Sequence, residues 1–189
     1  MDDVYIGIDP SYTGLAISVL RGAAEHTTYL DAFPKEKYGD GVDRLIAIRS
    51  HINGVITTWA MRARIKHICI EGYAHGRING REIAGELGAS VKQSIHYALA
   101  GQVRYPTIVP PATLKLFATG KGTSPKNVVL LRVYQKWGVE FTDDNKADAY
   151  VLACIARALE GHEPVEFDYE RKAIKALTPH TESHSLTRP

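Results

Sequence analysis

Cysteine is almost absent from this chain, and no apolar run in it approaches the length that crosses a bilayer. Its 189 residues hold two cysteines, Cys69 and Cys154, each inside an apolar stretch and neither in a CxxC or Cys/His metal spacing. That excludes a disulfide scaffold and a structural zinc site, and leaves both as small buried thiols. The basic and apolar regions of a signal peptide are missing as well, because MDDVYIGID opens on two acids and runs straight into a strand-like pattern. The expectation is a soluble cytoplasmic protein with no membrane contact. At 44 % apolar and 23 % charged residues the chain suits one domain with a proper core. That domain is expected to span residues 1–177, and the tail TPHTESHSLTRP, residues 178–189, to be disordered for want of apolar side chains.

A large excess of charge is also missing, since 23 basic and 21 acidic side chains leave +2. The balance hides an uneven distribution. Residues 1–60 carry 5 basic and 8 acidic side chains, residues 61–140 carry 12 and 4, and residues 141–189 carry 6 and 9. A basic centre between acidic ends points to an anionic partner.

Val4 to Asp9, Gly14 to Arg21 and Thr27 to Phe33 read as an antiparallel meander. Leu45, Ile48, Ile52, Ile56 and Trp59 recur at helical spacing from Val42 to about Arg64, and His67 to Glu71 is strand-like again. A crossover of that length joins parallel strands. Ile83, Leu87, Val91, Ile95 and Leu99 mark a second long helix, and Thr107 to Val109 a fifth strand stopped by Pro110-Pro111. Ser124 as N-cap with Pro125 at the first position starts a third helix, stopped by Gly138. The last begins at Asp143 or Asp144 and runs to Gly161. This is an α/β layer fold with a mixed five-stranded sheet: three antiparallel strands, then two parallel.

Two apolar strands end in a carboxylate followed by a turn former, VYIGID before Pro10 and ICIE before Gly72. The carboxyl ends of parallel neighbours face the crevice where open α/β sheets place their sites, which brings Asp9 and Glu71 close together. Two like charges there need a cation. Asp148 sits among Ala147, Ala149 and Val151, where a carboxylate is costly unless it is paired or metal-bound, and Asp144 lies one turn earlier on the same face. Oxygen ligands without cysteine or a histidine cluster select Mg²⁺ or Mn²⁺, and two such ions suit phosphoryl chemistry. KLFATGKGTSPK sets Lys115, Lys121 and Lys126 around a glycine-rich turn. It is not a P-loop, because Gly122 stands where Ser or Thr is required; a phosphate backbone and a solvated basic loop both remain open for it.

Together the four segments resemble the RuvC family of Holliday junction resolvases, over most of residues 4–160. GIDPSYTG at residues 7–14 is similar to the family's first motif, IEG at 70–72 to its second, and ADA at 147–149 to its last. The resemblance implies a ribonuclease-H-like fold and a magnesium-dependent endonuclease of bacterial or phage type that acts in DNA recombination and repair. It implies two metal ions on Asp9, Glu71, Asp148 and a fourth ligand. The family's fourth acid falls on Asn145, so Asp144, one residue earlier, is the candidate, with Asn145 as the weaker alternative. It further implies that Lys115 and Lys126 meet the junction backbone and that an aromatic, here Tyr73, stacks on an opened base, although Tyr73 reads equally as a rim or core aromatic. His75, Arg77 and Arg81 follow in a loop suited to reaching DNA. The helix from Ile83 to Leu99 would form a two-fold homodimer, and no nucleotide cofactor is implied. Rival readings are a broader flap or three-way nuclease of the same fold, a silent junction-binding protein, and an actin-like ATPase, which needs a chain about twice as long.

Overall fold

The computed structural model describes residues 1–22, 25–72, 81–99 and 106–178, with residues 81–83 described by backbone alone. Five strands form one sheet in the order β3-β2-β1-β4-β5. Strands β1 (Asp3–Asp9), β2 (Leu15–Arg21) and β3 (Glu25–Asp31) pair antiparallel; β4 (Arg64–Glu71) runs parallel to β1, and β5 (Thr107–Val109) parallel to β4. This is the mixed sheet that the sequence implies. Phe33, expected at the end of β3, lies beyond it and is buried in the core.

The helices α1 (Lys35–Tyr38), α2 (Val42–Arg62), α3 (Arg81–Ala98), α4 (Pro111–Thr119), α5 (Lys126–Trp137), α6 (Asp144–Leu159) and α7 (Asp168–Leu177) sort onto two faces. On one face α2 and α3 bury Ile48, Ile52, Ile56, Leu87, Val91 and Ile95 against Val4, Ile6, Ile8, Ile68 and Ile70. Each such side chain contributes about 1.5–3 kcal/mol by leaving water. An extra residue in β4 shifts the pairing after Val4, so that Ile65 and Ile68 both reach this core despite their odd spacing.

On the other face α6 is buried at every position from Ala147 to Ala158, with the sheet beneath and α4, α5 and α7 around it. A helix enclosed on all sides reads as apolar all round, which its alanines satisfy at little volume. The approach is closest at Gly7, where an added Cβ would stand 2.0 Å from the Ala149 carbonyl oxygen and 2.4 Å from the Ala153 nitrogen. Glycine in mid-strand is there because the helix backbone takes the space of a side chain.

Three helices escaped the periodicity, the first being the single turn α1 before the long α2. Helix α4 contains Lys115, so that lysine stands on a helix face and not in the glycine turn, and α7 follows the helix expected to be last. Ser124 is not the cap of α5, because its hydroxyl is bonded to that of Thr119 at 2.7 Å. Pro125, expected as the first helical residue, takes the cap position instead. Of the expected tail, residues 179–189 lie outside the described residues.

Candidate active site

Strand alternation decides which carboxylates meet. In β1 the even positions Val4, Ile6 and Ile8 face α2 and α3, so Tyr5, Gly7 and Asp9 face α6. In β4 Ile68 and Ile70 take the first face, and Cys69 and Glu71 the second. Because Ile8 pairs with Ile70, the next residues along, Asp9 and Glu71, close neighbouring parallel strands side by side. Asp148, near the start of α6, is 9 % exposed, and Asp9 is 5 % exposed. The structure therefore brings Asp9, Glu71 and Asp148 to one end of one face, as the sequence implies.

The electrostatics follow from that crowding. Burial first, then the charge of Glu71 and a shared hydrogen bond with it, raise the Asp9 carboxyl well above the carboxylate range, and Asp148 adds to the effect. Burial also raises Glu71, against the opposing pull of Asp9, Lys115 and Lys126. Asp148 is pushed up to about 7 by burial and by Glu71, again opposed by Lys126 and Lys115. Burial thus holds both Asp9 and Glu71 towards the protonated form relative to a solvated carboxylate.

Asp143 caps α6 by accepting the Lys146 N–H at 3.1 Å. Asp144, the next residue, is paired with the Lys126 ammonium. Asn145 turns to the β1–β2 connection, where its amide fills the space that a Cβ on Gly14 would need. Lys126 opens α5, and its charge pulls down the carboxyls of Asp9, Glu71 and Asp148 through space.

The loop from α4 to α5 is built, not slack. Gly120 ends α4 at φ 81°, the left-handed conformation that glycine adopts without strain, and a Cβ there would meet the Tyr169 ring at 3.3 Å. The Thr119 hydroxyl binds Ser124 at 2.7 Å and the Lys115 carbonyl at 2.7 Å, and receives the Lys121 N–H at 3.2 Å. Thr119 thus ties together the segment from Lys115 to Ser124, which carries two of the three lysines and leads into the third, a role its place after Ala118 and before Gly120 did not signal.

Tyr73, His75 and Arg77 lie outside the described residues, and so does the side chain of Arg81. A cavity of about 710 Å³ opens at the opposite end of the strands, lined by Asp3, Tyr5, Arg21, Arg64, Arg157 and His162. Its Arg21, Arg64 and Arg157 are paired with Glu25, Asp3 and Glu163.

Carboxylate oxygens without sulfur or imidazole fit a hard divalent cation. Among the described residues no three ligating side chains are already drawn to metal-binding spacing. Asp9 and Glu71 share a hydrogen bond, and Asp148 acts on Asp9 and is acted on by Glu71 through its charge.

Compared with solved structures, the chain is similar to Thermus thermophilus RuvC, with a TM-score of 0.59 and 22 % identity over 86 % of this chain and 99 % of that one. It is similar, over the same shares and at the same identity, to T. thermophilus RuvC in complex with Holliday junction substrate, with a TM-score of 0.61. The chain has the RuvC fold. Scans of the sequence against protein-family models and against curated proteins return no match. In this RuvC-like frame Asp9, Glu71 and Asp148 come from the two central parallel strands and the enclosed helix, and Lys115 and Lys126 from the two helices that flank their opening.

Proposed function

We propose that the protein is a metal-dependent endonuclease that resolves four-way DNA junctions by paired symmetric nicks. The observation that carries this reading is the convergence of Asp9, Glu71 and Asp148, two of them buried, beside the exposed ammonium of Lys126. The likeness to T. thermophilus RuvC with a Holliday junction supports branched DNA as the substrate class.

Asp9, Glu71, Asp148 and Asp144 would hold two Mg²⁺ or Mn²⁺ ions, which supply water activation and stabilisation of the departing oxygen. The chain's own residues do the rest. Lys115 and Lys126 offset backbone charge and set the phosphodiester against the carboxylates. The loop that Thr119 organises carries Lys121 along the same backbone. The enclosed α6 keeps Asp148 fixed, so little reorganisation is needed when charge develops. Hydrolysis leaves a 5′-phosphate and a 3′-hydroxyl.

Two equivalent nicks call for two copies related by a two-fold axis. The α3 stripe of Leu87, Val91, Ile95 and Leu99 is occupied within the chain, in the core it shares with α2. A pairing through α3 would use its exposed side, where Gly85 and Ala89 permit close approach and nothing stands within 4 Å of a Cβ on Gly85. We place residues 1–177 as one nuclease domain acting on DNA in a bacterial or phage-infected cell. Among the described residues no helix is long and apolar enough to cross a membrane.

The test is cleavage of four-way, three-way, flap and linear duplex DNA with Mg²⁺ or Mn²⁺, using the wild type and Asp9→Asn. Selective nicking of the four-way junction, lost in Asp9→Asn while junction binding persists, is the expected result. Preference for flaps or three-way forms would select the broader nuclease, and binding without metal-dependent nicking would leave a junction-binding protein.

A further inference from the structure

The contact between Lys126 and Asp144 joins the residue proposed to meet DNA to the residue proposed to meet metal. Both cannot keep that contact in the working complex. Lys126 is two-thirds exposed at the side chain, stands at the first turn of α5 and carries a long flexible stem, so it is free to swing. Asp144 is anchored at the start of α6, yet it has no capping duty, because Asp143 performs that. Asn145, the other candidate ligand, is engaged with the turn at Gly14. Lys126 also acts electrostatically on Asp9, Glu71 and Asp148, sharing that influence with Lys115 at Glu71 and Asp148 but being the cation that also pairs directly with Asp144. A divalent ion entering among them would be repelled by it.

We propose that Lys126 is a substrate-sensing counter-ion: it holds Asp144 in the free protein, transfers to a DNA phosphate when the backbone is seated, and thereby releases Asp144 to the cation. DNA and metal then bind with positive coupling, and the coupling is reciprocal. Because exposed ion pairs are weak, the exchange is easy in both directions, and the effect on cation affinity is about two- to fivefold. This inference rests on the metal-dependent nuclease reading.

The test is calorimetric titration of the DNA-free protein with Mn²⁺ alone, comparing wild type, Lys126→Met, Asp144→Asn and the double variant, with Lys92→Met on exposed α3 as a charge control. Lys126→Met should tighten Mn²⁺ binding about two- to fivefold, Lys92→Met should not, and the gain should vanish when Asp144 is already Asn. In metal-free junction binding, Lys126→Met should lower the slope of log K against log salt by about one, showing that the ammonium does reach a phosphate. An unchanged Mn²⁺ affinity in Lys126→Met, the same gain with or without Asp144, or an unchanged salt slope overturns the coupling while leaving the nuclease reading intact. Failure of every variant, wild type included, to bind Mn²⁺ overturns the nuclease reading itself and the coupling with it.

Discussion

Replacing Asp148 by Asn should stabilise the metal-free protein at pH 8 and do nothing for it at pH 4. The carboxyl is 9 % exposed and its pKa is raised from 3.8 to about 7, first by burial and then by Glu71. A raised carboxylate pKa means that the folded state holds its proton longer than the unfolded chain does. The folded state is therefore favoured below pH 4, and that advantage is lost as the pH climbs towards 7, after which the cost of the buried charge is constant. A rise of that size corresponds to about 4 kcal/mol as a ceiling. Relaxation of Glu71 and of the opposing lysines reduces it, and we expect about 1–3 kcal/mol. For a domain of this size that is a rise in Tm of roughly 2–10 °C at pH 8. The assay is thermal unfolding of wild type and Asp148→Asn in chelator at pH 4, 6 and 8, then at pH 8 with added Mg²⁺. Mg²⁺ should narrow the difference by stabilising the wild type alone. Equal destabilisation by Asp148→Asn at all three pH values would refute the placement of a strained carboxylate at this position.

Two further changes probe the frame around the site. Gly7→Ala puts a methyl 2.0 Å from the Ala149 carbonyl oxygen, so α6 must move as a body; about 1–3 kcal/mol of stability should be lost in urea unfolding, together with most nicking activity. Glu170, fully buried, accepts the N–H groups of Glu166 and Phe167 at 2.9 and 3.2 Å and pairs with Lys136. Glu170→Ala strands all three donors and should cost about 3–5 kcal/mol by denaturant titration, with junction affinity per folded molecule unchanged.

The strands and long helices were legible because their apolar residues repeat at clean periods and both long crossovers carry buried stripes. Asp9 and Glu71 were legible because each closes such a run and strand parity then leaves no choice of face. Asp148 showed through its alanines. Helix α4 was hidden because it is nine residues long, begins at Pro111 and reads locally as a turn; its apolar face, Leu114, Phe117 and Ala118, has meaning only against α6 and α7. Helix α7 carries only Ala173 and Glu170 as buried positions, and a buried glutamate does not register as a core residue in any hydropathy pattern. The pairing of Lys126 with Asp144 spans 18 residues of chain and two helix starts, so no local rule could supply it. The meaning of Gly7 was available in principle, since a glycine inside a run of β-branched residues asks what lies against it.

The enclosure of α6 has a further consequence for the lifetime of the site. Peptide groups leave their hydrogen bonds locally only where few buried contacts hold them, and α6 is buried from Ala147 to Ala158 between the sheet and three helices. An opening that frees that helix must break the core on this face, so its amide protons are expected to exchange among the slowest of the described residues. Asp148 rides on this enclosed segment, whereas Lys126 and Asp144 are the first residues of α5 and α6. One carboxylate of the proposed site is thus as durable as the fold, and the exposed Lys126–Asp144 pair is the part free to rearrange.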